Sequence, residues 1–303
     1  HAATVLSLAN YVAEKIEKDH PDVAIDTLAY QYTRKAPKTL RPRKNVIVRL
    51  CSIECNFAQP LEHPSNAAFA QDLKDWSKLT DRLAIWDYTT DFPNYLMPFP
   101  NYRVLGPNLR FFHQNGVRGM FEQGAYQSTG AEMAELRAWL LAQLMWDPYQ
   151  DEKALTREFL EGYYGPAAEP IGQYLNLMAD AAKDTNMVIW VGPDTPFFTF
   201  DTMVEAEKLW RQAALRTAGD PDLAWRVRQA RLAPNYVWLA RWNEFKPEAD
   251  RRGLSWFLPA TREELAQEWL KDTQGPGPSG WVPVTHVNEG GRTPQQWVEG
   301  LGK

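Results

Sequence analysis

Cysteine, histidine, excess positive charge and long apolar runs are all scarce in this sequence, and each scarcity excludes something. Only two cysteines occur in 303 residues. Cys51 and Cys55 lie four apart on an extended segment, so their side chains diverge or sit too far apart for a disulfide. Both read as packing residues. The five histidines, His1, His20, His63, His113 and His286, show no ligand spacing, and the sequence calls for no metal and no cofactor. No stretch approaches the ~20 apolar residues of a membrane span. The opening HAATVLSLANYVAEKIEK has no basic region followed by an apolar core and a cleavage site, so it is not a signal peptide. Lys and Arg number 33 against 38 Asp and Glu, and the net charge of -5 argues against nucleic acid as a partner.

Aromatic residues, by contrast, are plentiful: 13 Trp, 12 Tyr and 13 Phe favour a carbohydrate-facing or heavily packed protein. The chain is long enough for a large core and more than one domain. Its central stretch is NVIVRLCSIECNF, residues 45–57. Val46, Ile47, Val48 and Leu50 read as a buried parallel strand, and Ser52, Glu54, Cys55 and Asn56 follow with no Gly or Pro between. In a β/α barrel the C-terminal end of a strand carries the active site. For a lone glutamate the plainer reading is an ion pair with a nearby arginine.

Two later segments repeat the pattern of strand, acid and loop. LAIWDYTTDF (83–92) leads into Asp87, flanked by Trp86, Tyr88 and Asp91; VRGMFEQGAY (117–126) leads to Glu122 and Gln123. Three strands delivering three carboxylates among aromatic rings suggest glycoside hydrolysis, which uses two carboxyl groups, with flat rings suited to the C–H faces of a pyranose. Glu54 is assigned as general acid/base, Glu122 as nucleophile, and Asp87 as the group that raises the acid's pKa or holds a sugar hydroxyl. Tyr30, Tyr32, Asn56, Trp86, Tyr88, Asp91 and Gln123 are the candidate sugar contacts. Tyr32 and Tyr88 directly follow strand-like runs and are expected to face the cleft.

Along the chain, residues 2–19 read as an amphipathic helix and 23–32 as the first strand. A basic, proline-bearing loop follows to Lys44. Helices are expected over 65–80, 105–115 and 130–144, and beyond 146 over 151–163, 167–184, 201–217 and 221–242. Only MVIWV, 187–191, carries a later strand signal. Trp210, Trp225, Tyr236, Trp238 and Trp242 read as inter-helix core. The Gly/Pro-rich tail from Gly275 is expected to be loosely structured.

The resulting fold class is α/β, a partial β/α TIM-type barrel followed by a mostly helical region. Its divisions are residues 1–146 (C-terminal half of a barrel), 147–274 (helical) and 275–303 (tail). Four strands do not close an eight-stranded barrel, so the expectation is a chain missing its N-terminal half, with an open half-barrel and poor turnover by itself.

LAYQYTRKAPK, NVIVRLCSIECNF, IWDYTTDF, PNLRFFHQNGVRGMFEQG, ELRAWLLAQLMWDP and EFLEGYYGPAA occur in this order. Together they resemble the bacterial proteins once grouped as domain of unknown function family 4838 and now placed in part in glycoside hydrolase family 163. The likeness runs over roughly residues 5–180, with an echo in THVNEGGRTPQQWVEGL. It implies a β/α-barrel hydrolase, secreted, periplasmic or at the cell surface, of retaining endo-β-N-acetylglucosaminidase type. The partner it implies is an oligosaccharide or glycoprotein glycan. An N-acetyl substrate also admits attack by its own acetamido oxygen, oriented by Asp87 or Glu122. The rivals are a non-catalytic carbohydrate-binding protein and an α-glucuronidase-like hydrolase, in which the basic stretch Arg34 to Lys44 meets an acidic sugar.

Overall fold

The computed structural model describes residues 1–275, 277 and 281–301. Part of the expected tail, residues 276, 278–280 and 302–303, therefore lies outside the described residues. The chain divides into two compact units: His1–Thr89, Arg103–Gln123 and Leu141–Gln150 make the first, and Thr90–Tyr102, Gly124–Leu140 and Asp151–Lys303 the second.

The first unit is built on four parallel strands in the order β1 (Ile25–Ala29), β2 (Val46–Cys51), β3 (Leu83–Tyr88) and β4 (Val117–Gln123). Helices α1 (Ala2–Ile16), α2 (Ala67–Ser77) and α3 (Tyr102–Gln114) precede β1, β3 and β4. Right-handed crossovers place such helices on one face of the sheet. That covered face carries Val46, Val48, Leu50, Leu83 and Ile85, each no more than 1% exposed. Leu6, Ala9 and Ala13 of α1 and Phe69, Leu73 and Trp76 of α2 supply buried apolar surface. Burial of each large side chain stabilises by about 1.5–3 kcal/mol. Polar ties fix the helices: Asn45 Nδ2 donates to Ala13 O at 3.0 Å and Trp76 Nε1 to Arg34 O at 2.7 Å.

The opposite face has no helix from these crossovers. It carries Asp26 and Arg49 as an ion pair (2.6 Å), with Leu28 and Phe121 both over 40% exposed. In a closed barrel this would be the interior; here the strands form an open parallel sheet.

The second unit is mainly helical: α5 (Glu152–Tyr164), α6 (Ala168–Ala182), α7 (Phe200–Thr217), α8 (Pro221–Ala240), α9 (Trp242–Arg251), α10 (Arg262–Gln274) and α11 (Pro294–Gly300). Helix α4 (Ala134–Trp146) contributes residues to both units. Side-chain caps start α5 at Asp151, α7 at Thr199, α8 at Asp220 and α10 at Thr261, each meeting orphan N–H groups of a first turn. Trp210, Tyr236, Trp238 and Trp242 are buried as inter-helix core, whereas Trp225 is half-buried, edge-on to Trp281. A buried ion pair anchors the unit: Arg137 meets Glu132 at 2.5 Å, Asn101 Oδ1 at 2.9 Å and Phe99 O at 2.8 Å, and Tyr102 donates its hydroxyl to Glu132.

Two local expectations are corrected. MVIWV forms no strand; Met187 and Ile189 are buried in an irregular segment whose Ile189 carbonyl accepts the Phe92 N–H at 3.1 Å. The tail is more ordered than its composition suggests, because Thr293 and Gln296 close a capping box at the start of α11 and Trp297 stacks on Tyr236 at 4.0 Å. No described helix is long and apolar enough to cross a membrane.

Candidate active site

The strand register sorts the candidate residues onto two faces. Asp87 on β3 stands opposite Glu122 on β4, and Trp86 opposite Phe121. Cys51 stands opposite Trp86, so Ser52, whose N–H donates to Trp86 O at 3.1 Å, continues β2 at the level of Asp87. Side chains alternate along a strand. Ser52, Asp87 and Glu122 therefore form one row on the face of Leu50 and Ile85, at the C-terminal ends of adjacent strands. Tyr30, Cys51, Trp86, Tyr88 and Gln123 belong to the open face.

Two members of the acidic row are almost dry, and Glu122 is half-buried. Asp87 is 5% exposed and Ser52 fully buried. Asp87 Oδ1 accepts the Ser52 hydroxyl and the Tyr88 N–H, the latter at 2.9 Å. Burial pushes the Asp87 carboxyl up to about 6, against the pull of those two donors. Glu122 is raised well above the usual carboxylate range, first by burial and then by the charge of Asp87. Its Oε2 is buried without a hydrogen-bond partner. Like charges on paired residues repel, so the pair favours keeping one proton, and Glu122, raised the further of the two, is its favoured holder.

Glu54 lies three residues beyond β2, at the same end of the sheet. It pairs with Arg34 at 2.6 Å, and Arg34 also bonds Asp72 of α2 at 2.8 Å. This is the plainer arginine pairing weighed above. The Glu54 side chain remains 45% exposed.

On the open face Trp86 Nε1 donates to Gln123 Oε1 at 2.7 Å, and the Trp86 ring meets Phe121 edge to face at 4.7 Å. Tyr88 is buried, with its hydroxyl beside the Cys51 thiol, and desolvation raises both groups. Tyr30, Trp86, Tyr88 and Gln123 thus share one face at the C-terminal ends of the strands. Tyr32 does not join them: it is 74% exposed and edge-on to His1, because the chain turns at Gln31, whose φ of 48° swings the next residue away from the strand line. Asn56 is consumed by its own loop, its N–H bonding Asn66 Oδ1 at 2.7 Å and its Oδ1 taking the Ala58 N–H at 3.0 Å. Asp91 belongs to the second unit, where it is fully buried, accepts from Asn94 Nδ2 at 3.3 Å and is pushed up to about 8 by burial.

Two participants escaped the sequence reading. Ser52 was legible only as part of the polar run after β2, and its partnership with Asp87 needs the register. Arg34 was grouped with a solvated basic loop, whereas it bridges two acids. Among the described residues no group of three or more His, Cys, Asp and Glu is placed to hold a metal ion.

Fold and site define an α/β protein with a parallel sheet, a carboxyl pair at the C-terminal ends of two neighbouring strands, and a helical region after it. The chain belongs to the family described as Domain of unknown function (DUF4838), whose model matches residues 1–176. Comparison with curated proteins and with solved structures returned no match.

Proposed function

We propose that the protein is a glycoside hydrolase, a retaining endo-β-N-acetylglucosaminidase acting on N-glycan-type oligosaccharides. The observation that carries this reading is the in-register pair Asp87 and Glu122 at the C-terminal ends of adjacent strands, two carboxyl groups both raised by burial, with the aromatic rings of Trp86 and Tyr88 on the opposite face of the same strand ends. Neighbouring strands lie about 4.8 Å apart, compatible with the ~5–5.5 Å separation of a retaining pair. Their protonation revises the first assignment: a nucleophile has to be ionised, and Glu122 is the protonated member. In the proposal Glu122 is the general acid, and Asp87 is the anion that orients the substrate's acetamido oxygen or attacks in its place. Glu54 takes the acid/base role only when released from Arg34; otherwise it is a rim contact. Secretion or surface display belongs to the same proposal and rests on the family alone.

A carbohydrate-binding protein without turnover is the second reading, favoured by the ion pair that occupies Glu54. The α-glucuronidase-like alternative is less well supported, because Arg34, the basic residue nearest Glu54, is already shared by two carboxylates. Incubation with a complex-type glycoprotein and mass spectrometry of the products tests the proposal. Intact glycan ending in one N-acetylglucosamine is expected, at a slow rate that Glu122→Gln abolishes. Bound but uncleaved glycan would overturn it in favour of the second reading, and free uronic acid in favour of the third.

A further inference from the structure

We propose that Ser52 is a positioning residue that decides which member of the carboxyl pair carries the proton, holding Asp87 as the anion and leaving the proton on Glu122. The proposal rests on the reading of Asp87 and Glu122 as the reacting pair, but its geometry stands independently. Ser52, Asp87 and Glu122 occupy one level on three adjacent strands. Both donors to Asp87 converge on the single oxygen Oδ1. Donors aimed at a carboxylate favour its charged form. Glu122 has no such support, since its Oε2 is buried and unpartnered. A carboxylate left bare in that position is costly, whereas a protonated carboxyl is neutral and has an O–H to give.

Ser52 is itself fixed for this task. Its N–H is committed to Trp86 O at 3.1 Å, its carbonyl accepts the Cys55 N–H at 2.9 Å, and its side chain is fully buried with the hydroxyl on Asp87. The backbone therefore sets the aim of the hydroxyl. The surrounding ionisable groups do not duplicate the effect. The Cys55 thiol is raised by burial and then by Asp87, so it stays neutral. Glu54 is matched by Arg34, and Arg34 by Asp72 as well, so this cluster adds no unpaired cation beside the pair. Of the two donors to Asp87, the Tyr88 N–H is fixed by the main chain; only Ser52 can be altered by substitution.

The test is a pH titration of side-chain carboxyl carbons by NMR, on the 303-residue chain labelled at Asp and Glu, with the two signals assigned through Asp87→Asn and Glu122→Gln. In the wild type Asp87 is expected to ionise near pH 6 with Glu122 still protonated. In Ser52→Ala the Asp87 midpoint is expected to rise by about one unit or more, the scale of one hydrogen bond to a charged group. Ser52→Cys keeps the volume and a weak donor, guards against a packing defect, and is expected to fall between. Midpoints unchanged in both folded variants, or Glu122 ionising first in the wild type, would overturn the proposal. Because the titration needs no substrate, a protein that titrates as expected but cleaves no glycan leaves the role of Ser52 standing and removes the glycosidase reading. Cleavage with an unmoved titration does the reverse.

Discussion

Replacing Asp87 by Asn is predicted to make the protein more stable at pH 7.5 while removing its function. The folded-state value of about 6 lies above the ordinary aspartate value of 3.8, a gap worth about 3 kcal/mol. Since the folded-state value is the higher one, the native chain binds more protons than the unfolded chain between those two pH values. The stabilising contribution is complete below about 3.8 and is lost as pH rises through about 6. At pH 7.5 the wild type therefore carries the full cost of a buried anion. Asn keeps the oxygen that receives Ser52 and the Tyr88 N–H, and its amide can donate toward the orphan Glu122 oxygen. Urea unfolding of wild type and variant at pH 4 and 7.5 measures the difference, in which titrating groups away from the Asp87 and Glu122 pair cancel. The variant is expected to gain up to about 3 kcal/mol at pH 7.5 relative to pH 4, roughly 1 M in midpoint for a slope near 3 kcal/mol/M. A difference that does not vary with pH would refute the burial argument.

Further outcomes follow from other contacts. Arg137→Met leaves Glu132 without its ion-pair partner in a site only 4% exposed, and a loss of about 3–5 kcal/mol is expected in the same urea assay. Glu54→Ala is expected to cost less than about 1 kcal/mol because its side chain is nearly half exposed; Arg34→Ala, which strands Asp72, should cost about 2. Paired thermal melts check the contrast, and equal losses would contradict it. Gly130 has a φ of 76° and an added Cβ would collide with Val284, so Gly130→Ala is expected to cost about 1–3 kcal/mol and to raise proteolysis of the segment around Thr129 and Val282, which are joined by a 2.7 Å hydrogen bond.

Much of the sheet was legible because its signals are local. The apolar runs Val46 to Cys51, broken only by Arg49, and Leu83 to Trp86 lead into polar residues, and all four strands occur at their expected places. The parallel order made it possible to expect Asp87 and Glu122 at one end. Alternation along each strand separates Asp87 from Trp86 and Glu122 from Gln123. What the sequence could not carry was the pairing register, whose irregularity between Leu83 and Ala84 sets Asp87 opposite Glu122 rather than Phe121. Tyr32 was misjudged because proximity to a strand says nothing of a left-handed turn at Gln31. The tail was misjudged because Gly and Pro dominate its composition, while the Thr293 and Gln296 cap and the Trp297 contact decide its end.

Asp87 and Glu122 are proposed to act as one carboxyl pair on a glycan. A double-mutant cycle on glycan release tests it most directly, comparing wild type, Asp87→Asn, Glu122→Gln and the double variant by mass spectrometry at pH 7. Residues that work as a unit are strongly non-additive. Each single substitution is expected to reduce release by about 100-fold or more, the scale of general acid–base catalysis, and the double variant to be little worse than either. Additive losses, or release undiminished by Glu122→Gln, would contradict the claim.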